Sequence, residues 1–221
     1  MMKHLVLFSV AAGLVCAEPL EAILGRMDAA AKATTSFSAS VKWDQFTKSI
    51  NDHSEQTGSI RLMRSKGRVT GRMDVEKPAA YTWHFAGDNF EKFLPKAKSL
   101  EVYKVSKLLK SADQYLALAF GLTGQELRKT YDITAGAEET IGTTRATRLE
   151  LIPKDKKARE YAAKVELWVA VGQTYAVQQK VTEPNGNYNL YIYNDAKLNP
   201  ELPDSAFDFT PPAGTERRVM N

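Results

Sequence analysis

The stretch KVELWVAVGQTYAVQQKVTEPNGNYNLYIYN, Lys164–Asn194, alternates apolar and polar side chains and breaks at turn residues. A period of two is that of half-buried strands. Lys164 to Val169 and Tyr175 to Val181 read as one hairpin, the second strand turning Tyr175, Val177 and Val181 to one side. Asn185-Gly186 is a strong hairpin signal, since a type I′ turn needs positive φ at both central residues. Asn187 to Asn194 then returns, with Leu190 and Ile192 on one face and Tyr191 and Tyr193 on the other. The unit is an antiparallel meander.

The same alternation runs upstream. Phe37, Ala39, Val41 and Trp43 share a face, and the return at Asn51-Asp52 leads to a strand over Gly58 to Arg64. Lys66-Gly67 turns the chain into Arg68 to Val75. Beyond Pro78, which suits a strand entry, Tyr81, Trp83 and Phe85 point together. Gly87-Asp88-Asn89 turns again, and Phe90 to Leu94, Ser99 to Val105, Asp132 to Ala135 and Thr144 to Ile152 complete the set. About ten or eleven strands are too many to stay flat, so a mainly β (α+β) fold with a curled antiparallel sheet, a barrel or half-barrel, is predicted. No repeat or linker divides it, so residues 18–221 are expected to form one domain.

Two segments depart from the strand period. Pro19 to Ala33 repeats Leu20, Ile23, Leu24 and Met27 at helical spacing. Within Ser106 to Tyr131, Ala112, Tyr115, Leu116, Ala119 and Phe120 form a broad apolar helical face, widened by Leu118. Ser111 with Gln114 and Thr123 with Glu126 read as capping boxes. Gly121 between them predicts two short helices, about Ser111–Phe120 and Gly124–Tyr131, joined at a hinge. One greasy helical insertion in a sheet protein is expected to cover something.

The start of the chain reads as an address. Lys3, the apolar run Leu5 to Val15 and Val15-Cys16-Ala17, which fits the small-residue cleavage rule, describe a secretory signal peptide, residues 1–17, too short in its apolar part to span a membrane. Cleavage near Ala17 removes Cys16, the one cysteine of the chain; the rival is a lipoprotein signal in which Cys16 is lipidated, against which Val15 stands. A periplasmic location is expected. The formal charge of +4 is mild. It allows transient contact with an anionic membrane surface but is not a nucleic-acid signature. The runs Lys154–Lys157 and Arg217-Arg218 read as solvated loop and tail.

Residues for catalysis are scarce. Of three histidines, His4 falls in the leader, His53 in a polar turn and His84 beside Trp83 and Phe85. None has metal-ligand spacing, and no nucleophile elbow or phosphate loop occurs. No enzyme activity, catalytic residue, metal or cofactor is expected. Apolar side chains are plentiful instead. Phe37, Trp43, Trp83 and Phe85 are either an ordinary core or the wall of a cavity, and the residues alone leave both open.

Two segments go further than pattern. Lys77-Pro78-Ala79-Ala80-Tyr81-Thr82-Trp83-His84 resembles the basic-Pro-x-x-aromatic-x-Trp segment of the bacterial outer-membrane lipoprotein carrier family, the LolA type. Phe207-Asp208-Phe209-Thr210-Pro211-Pro212-Ala213-Gly214 is similar to that family's close. The resemblance implies an incomplete β-barrel under a helical lid, with acyl chains of lipoproteins held in a hydrophobic cavity. It further implies a monomer that takes lipoproteins from an inner-membrane releasing transporter and passes them to an outer-membrane receptor. On that basis Phe37, Val41, Trp43, Tyr81, Trp83 and Phe85 form the cavity wall, and Leu109, Leu116, Phe120 and Leu122 meet acyl chains from the lid. Lys77 stands where the family commonly has a lid-latching arginine. Lysine keeps the charge but not the planar fork. Gly87-Asp88-Asn89-Phe90 also departs from the family pattern. Two rivals remain on the same scaffold: a binder of another lipid or glycolipid, and a non-carrier envelope sensor or structural module.

A carrier needs balance between states. Burying an acyl chain of about 16 carbons is worth up to about 13 kcal/mol at about 0.8 kcal/mol per methylene. Each large lid side chain buried is worth about 1.5–3 kcal/mol. The sums for lipid and lid are comparable, so the two can exchange.

Overall fold

The computed structural model describes residues 18–31, 33–65, 68–86, 89–104 and 123–220. Helix α1 (Leu20–Ala31) precedes the strands β1 (Ser36–Thr47), β2 (Asp52–Ser65), β3 (Arg68–Lys77), β4 (Tyr81–Ala86), β5 (Asn89–Leu94) and β6 (Ser99–Lys104). Helix α2 (Gly124–Thr130) leads into β7 (Tyr131–Ile141) and β8 (Thr144–Pro153). The short α3 (Lys156–Arg159) is followed by β9 (Lys164–Ala170), β10 (Ala176–Thr182), β11 (Tyr188–Leu198) and β12 (Glu216–Met220). The expected lid residues Leu109, Leu116, Phe120 and Leu122, the leader 1–17, and the turn residues Lys66-Gly67 and Gly87-Asp88 lie outside the described residues.

Among the described residues all twelve strands join one sheet in the order β12-β6-β5-β4-β3-β2-β1-β11-β10-β9-β8-β7. The sheet is not closed, because β12 and β7 stand at opposite edges. This is the mainly β, incomplete sheet expected from the alternation. Two meanders meet where β1 pairs antiparallel with β11, from Phe37↔Leu198 to Phe46↔Tyr188. One strand is more than the alternation suggested. Arg217 and Arg218, read as a tail, belong to β12, which pairs parallel with β6. Parallel pairing carries no hairpin signal, and β12 is exposed throughout, so alternation had nothing to mark it.

Two local readings change with the backbone. The Asn185-Gly186 turn has positive φ only at Gly186 (86°) among its central residues. Gly186 N–H donates to Glu183 O at 3.0 Å, so Pro184 and Asn185 form a type I turn closed by a left-handed glycine. Proline sets φ for the first central position of that turn, which starts the turn one residue early. In β10, a bulge between Ala176 and Gln178 breaks the expected alignment of Val177 with Val181. The extra residue reverses the alternation. Val177 packs with Ala146, Trp168 and Ala170, while Val181 packs with the helices.

Helix α1 forms as its spacing dictates and buries Ile23, Leu24 and Met27 against Leu149, Leu151, Val165 and Leu167 of β8 and β9. Helix α2 begins at the expected capping box. Thr123 Oγ1 accepts from Glu126 N–H at 3.0 Å, and Glu126 Oε2 accepts from Thr123 N–H at 2.9 Å. Gly124 sits so close to α1 that a Cβ there would lie 2.5 Å from Leu24 O. Asp28 of α1 accepts from Gln125 N–H at 3.0 Å and pairs with Arg128 at 3.5 Å. The two helices thus clamp together over β7–β10.

The opposite face of β3–β6 carries the C-terminal motif. Phe207 is buried, and the Phe209 ring packs on Phe93 at 5.4 Å between centroids, beside Leu100 and Val102. Arg72 donates to Asp208 O at 2.9 Å, and its guanidinium pairs with Asp74 at 2.9 Å. The Phe-x-Phe segment is therefore a strap that delivers β12 to its edge. Leu167 is fully buried beneath α1; Leu167→Ala is expected to cost about 2–5 kcal/mol of stability, read as a lowered midpoint in urea unfolding.

Candidate functional site

Alternation and register assemble one side of the sheet into a cavity. Val41 pairs with Tyr193, and Trp43 with Tyr191, across β1 and β11. Ile60, Met73 and Trp83 follow one another across β2, β3 and β4. Phe85 meets Phe90 across β4 and β5, and Gln179 meets Tyr191 across β10 and β11. These ten side chains line a cavity of about 180 Å³. Gly71 makes room for one of them. A Cβ there would sit 1.7 Å from the Phe85 ring, so the ring lies across bare backbone.

The cavity has a buried floor and a half-buried rim. Val41, Ile60, Met73, Tyr193 and Gln179 are buried. Trp43, Trp83, Phe85, Phe90 and Tyr191 are half-buried. The rim rings support one another: Trp43 stacks on Tyr191 at 5.3 Å, Trp83 on Phe90 at 4.3 Å and Phe85 on Phe90 at 5.3 Å between centroids. An apolar space of about 150 Å³ in a protein core stays dry and accepts small apolar guests. Sites for ligands of drug size run from about 300 Å³. The space here suits a segment of hydrocarbon.

A polar collar adjoins it. Trp43 Nε1 donates to Asn189 Oδ1 at 3.0 Å, and Gln45 Nε2 donates to the same oxygen at 3.1 Å. Gln56 Nε2 donates to Gln45 Oε1 at 3.0 Å, and Tyr81 Oη donates to Gln56 Oε1. Lys92 Nζ lies 4.7 Å from the Tyr81 ring centroid and 5.1 Å from that of Trp83. A cation held over two aromatic faces at the edge of an apolar hollow gives the site an amphipathic mouth.

The residues predicted as wall are distributed as follows. Val41, Trp43, Trp83 and Phe85 line the cavity. Tyr81 belongs to the collar. Phe37 is fully buried and packs edge-on to Tyr193 at 6.3 Å; it does not line the space. Lys77 is exposed at the end of β3, opposite Thr57. Six further lining residues were not singled out: Ile60, Met73, Phe90, Gln179, Tyr191 and Tyr193. The signal for the tyrosines was their shared face in β11. Gln179 was visible only as a polar residue in an apolar row. Among the described residues, no group of three or more His, Cys, Asp or Glu could hold a metal ion. No helix among them is long and apolar enough to cross a membrane.

No model of a known protein family matches the chain, and no curated protein matches it by sequence. Solved structures do match. MucB aligns over 86% of this chain with a TM-score of 0.56 at 14% identity; it has also been solved in complex with MucA from Pseudomonas aeruginosa. The chain spans 62% of that MucB structure, less than two thirds of its length. An uncharacterized conserved protein from Thermus thermophilus aligns over 90% of this chain and 98% of its own, with a TM-score of 0.57 at 12% identity. A LolA superfamily protein from Nitrosomonas europaea aligns over 87% of this chain and 99% of its own, at 18% identity and a TM-score of 0.39. At these identities the likeness is one of fold.

Burial also sets the chemistry of the tyrosines. The Tyr191 and Tyr193 hydroxyls are pushed well above their ordinary range by burial, and each is raised further by a neighbouring tyrosine. Tyr103 is pushed up to about 12, by burial and then by its hydrogen bond to Glu101. An unfolded tyrosine ionises near about pH 10. Above that pH the unfolded chain sheds protons that the folded one keeps, so stability is full below about pH 10 and falls as pH rises. The urea midpoint is expected to drop between about pH 9 and pH 11. Tyr191→Phe is expected to flatten the slope.

Proposed function

We propose that the protein binds the hydrocarbon of an amphiphile, with lipoprotein acyl chains first among the ligands, and carries it through the periplasm. The observation that supports this most is the cavity bounded by Val41, Ile60, Met73, Trp83 and Phe90, with the collar and Lys92 at its mouth. An apolar hollow beside hydrogen-bonding groups suits a molecule with a greasy body and a polar head. Each methylene moved from water into it contributes about 0.8 kcal/mol. The LolA-type fold supports the same reading. An inner-membrane releasing transporter, an outer-membrane receptor, transient membrane contact and single-domain, monomeric action belong to this proposal. So do acyl contacts from Leu109, Leu116, Phe120 and Leu122, a latch at Lys77, and removal of residues 1–17.

A second reading is favoured by the likeness to MucB, which has been solved with MucA. On this reading the same sheet serves an envelope sensor that holds a partner protein. One experiment separates the two. The protein is purified from bacterial cells producing a tagged lipoprotein, and what it carries is identified by mass spectrometry after solvent extraction. Lipoprotein, or its acyl chains, is expected in the wild type. Phe90→Asp, which puts a charge at the half-buried rim, is expected to lower the bound amount by about tenfold, the equivalent of about 1.4 kcal/mol. A wild-type protein that emerges free of lipid and holding another polypeptide supports the sensor reading instead.

A further inference from the structure

We infer that the hydrocarbon held in this cavity carries a hydroxyl group, and that Gln179 recognises it. The inference rests on the lipid-binding reading above and deepens it.

Gln179 is 1% exposed and lines the cavity. Among the described residues its Oε1 is buried without a hydrogen-bond partner. The other amides on this side of the sheet are provided for. Gln45, Gln56 and Asn189 bond to one another, to Trp43 and to Tyr81. Other buried polar atoms lack partners among the described residues, Ser99 Oγ and Thr147 Oγ1 for example, but neither lines this space. A buried amide left unmatched is destabilising, and native proteins keep few of them. A leucine or methionine would fill the same place in a purely hydrocarbon site without that penalty.

The cavity that Gln179 lines is the place from which a guest could reach its amide. Cross-strand, it faces Leu167 and Tyr191, and Val41, Ile60 and Met73 share the lining. An ester carbonyl cannot meet Oε1, because it only accepts, and it could serve only with the amide turned to present its Nε2. A hydroxyl both donates and accepts, so it satisfies the amide whichever way the amide is turned. Gln179 lies two strands along from Trp43, through Tyr191, and Trp43 is part of the collar. The hydroxyl therefore belongs on the hydrocarbon close to the polar head, not at the far end of the tail.

The test compares hexadecanoic acid with two hydroxylated forms, one substituted near the carboxyl end and one at the tail end. Affinities are measured by displacement of an apolar fluorescent dye from the delipidated protein. Wild type is expected to bind the form hydroxylated near the carboxyl end on the order of tenfold more tightly than the parent, the size of one buried hydrogen bond. Gln179→Met is expected to bind the parent at least as well as wild type does and to lose the preference. It is also expected to raise the urea midpoint of the empty protein, whereas an amide with a structural role would lower it. Equal wild-type affinities for all three acids, the result if water alone meets the amide, overturn the inference while leaving the lipid-binding reading intact. A preference that survives in Gln179→Met overturns it as well. If no acid displaces the dye, the lipid-binding reading itself fails, and the inference falls with it.

Discussion

Among the described residues, one side of this sheet carries more apolar surface than the helices α1 and α2 packed on it can cover. Burial of that surface is the main driving force for folding. Helices α1 and α2 meet it over β7–β10, where Leu149, Leu151, Val165 and Leu167 disappear beneath Ile23, Leu24 and Leu127. Over β1–β5 and β11 the same face continues as Val41, Ile60, Met73, Trp83 and Tyr193, and there it forms a hollow. The junction of β1 with β11 is what makes the two halves continuous. Everything proposed about binding depends on that continuity.

The two faces divide the work. The reverse side of β2–β6 is laced by Arg61, Arg72, Asp74 and Thr82 and strapped by Phe207 and Phe209. Aromatic packing and ion pairs there are internal, and among the described residues Arg61 Nε is buried without a partner. On the cavity side the rings of Trp43, Trp83 and Phe90 stack yet stay half-buried, and Gln179 remains unmatched. The cavity side has an apolar hollow, a polar collar and a buried amide, the features of a site shaped for a guest.

Much of this was legible in the residues. Period-two alternation located eleven of the twelve strands, and the spacing of Leu20, Ile23, Leu24 and Met27 gave α1. The Thr123–Glu126 capping box placed the start of α2 to the residue. Alternation also put Val41, Trp43, Trp83 and Phe85 on the side that became the cavity. What escaped was set by non-local or backbone effects. The bulge at Ala176–Gln178 reversed Val177, and Pro184 shifted the following turn. Parallel pairing of β12 left no local mark. Phe37 looked equivalent to Val41 and Trp43, but its pairing with Leu198 and Leu62 sets it beyond the hollow, against Tyr193. Gln179 was hidden because a single polar residue in an apolar row gives no sign of whether it will find a partner.

The three tryptophans allow a direct measurement, because they divide between the faces. Trp43 and Trp83 line the cavity, while Trp168 lies on the other face with its Nε1–H bonded to Glu139 at 2.7 Å. A brominated fatty acid quenches tryptophan emission only at contact. Titrated into the wild-type protein, it is expected to quench the Trp43 and Trp83 emission. In the double variant Trp43→Phe, Trp83→Phe it is expected to leave the remaining Trp168 emission unchanged. Quenching that persists in the double variant, or none in the wild type, would contradict binding of hydrocarbon in this cavity.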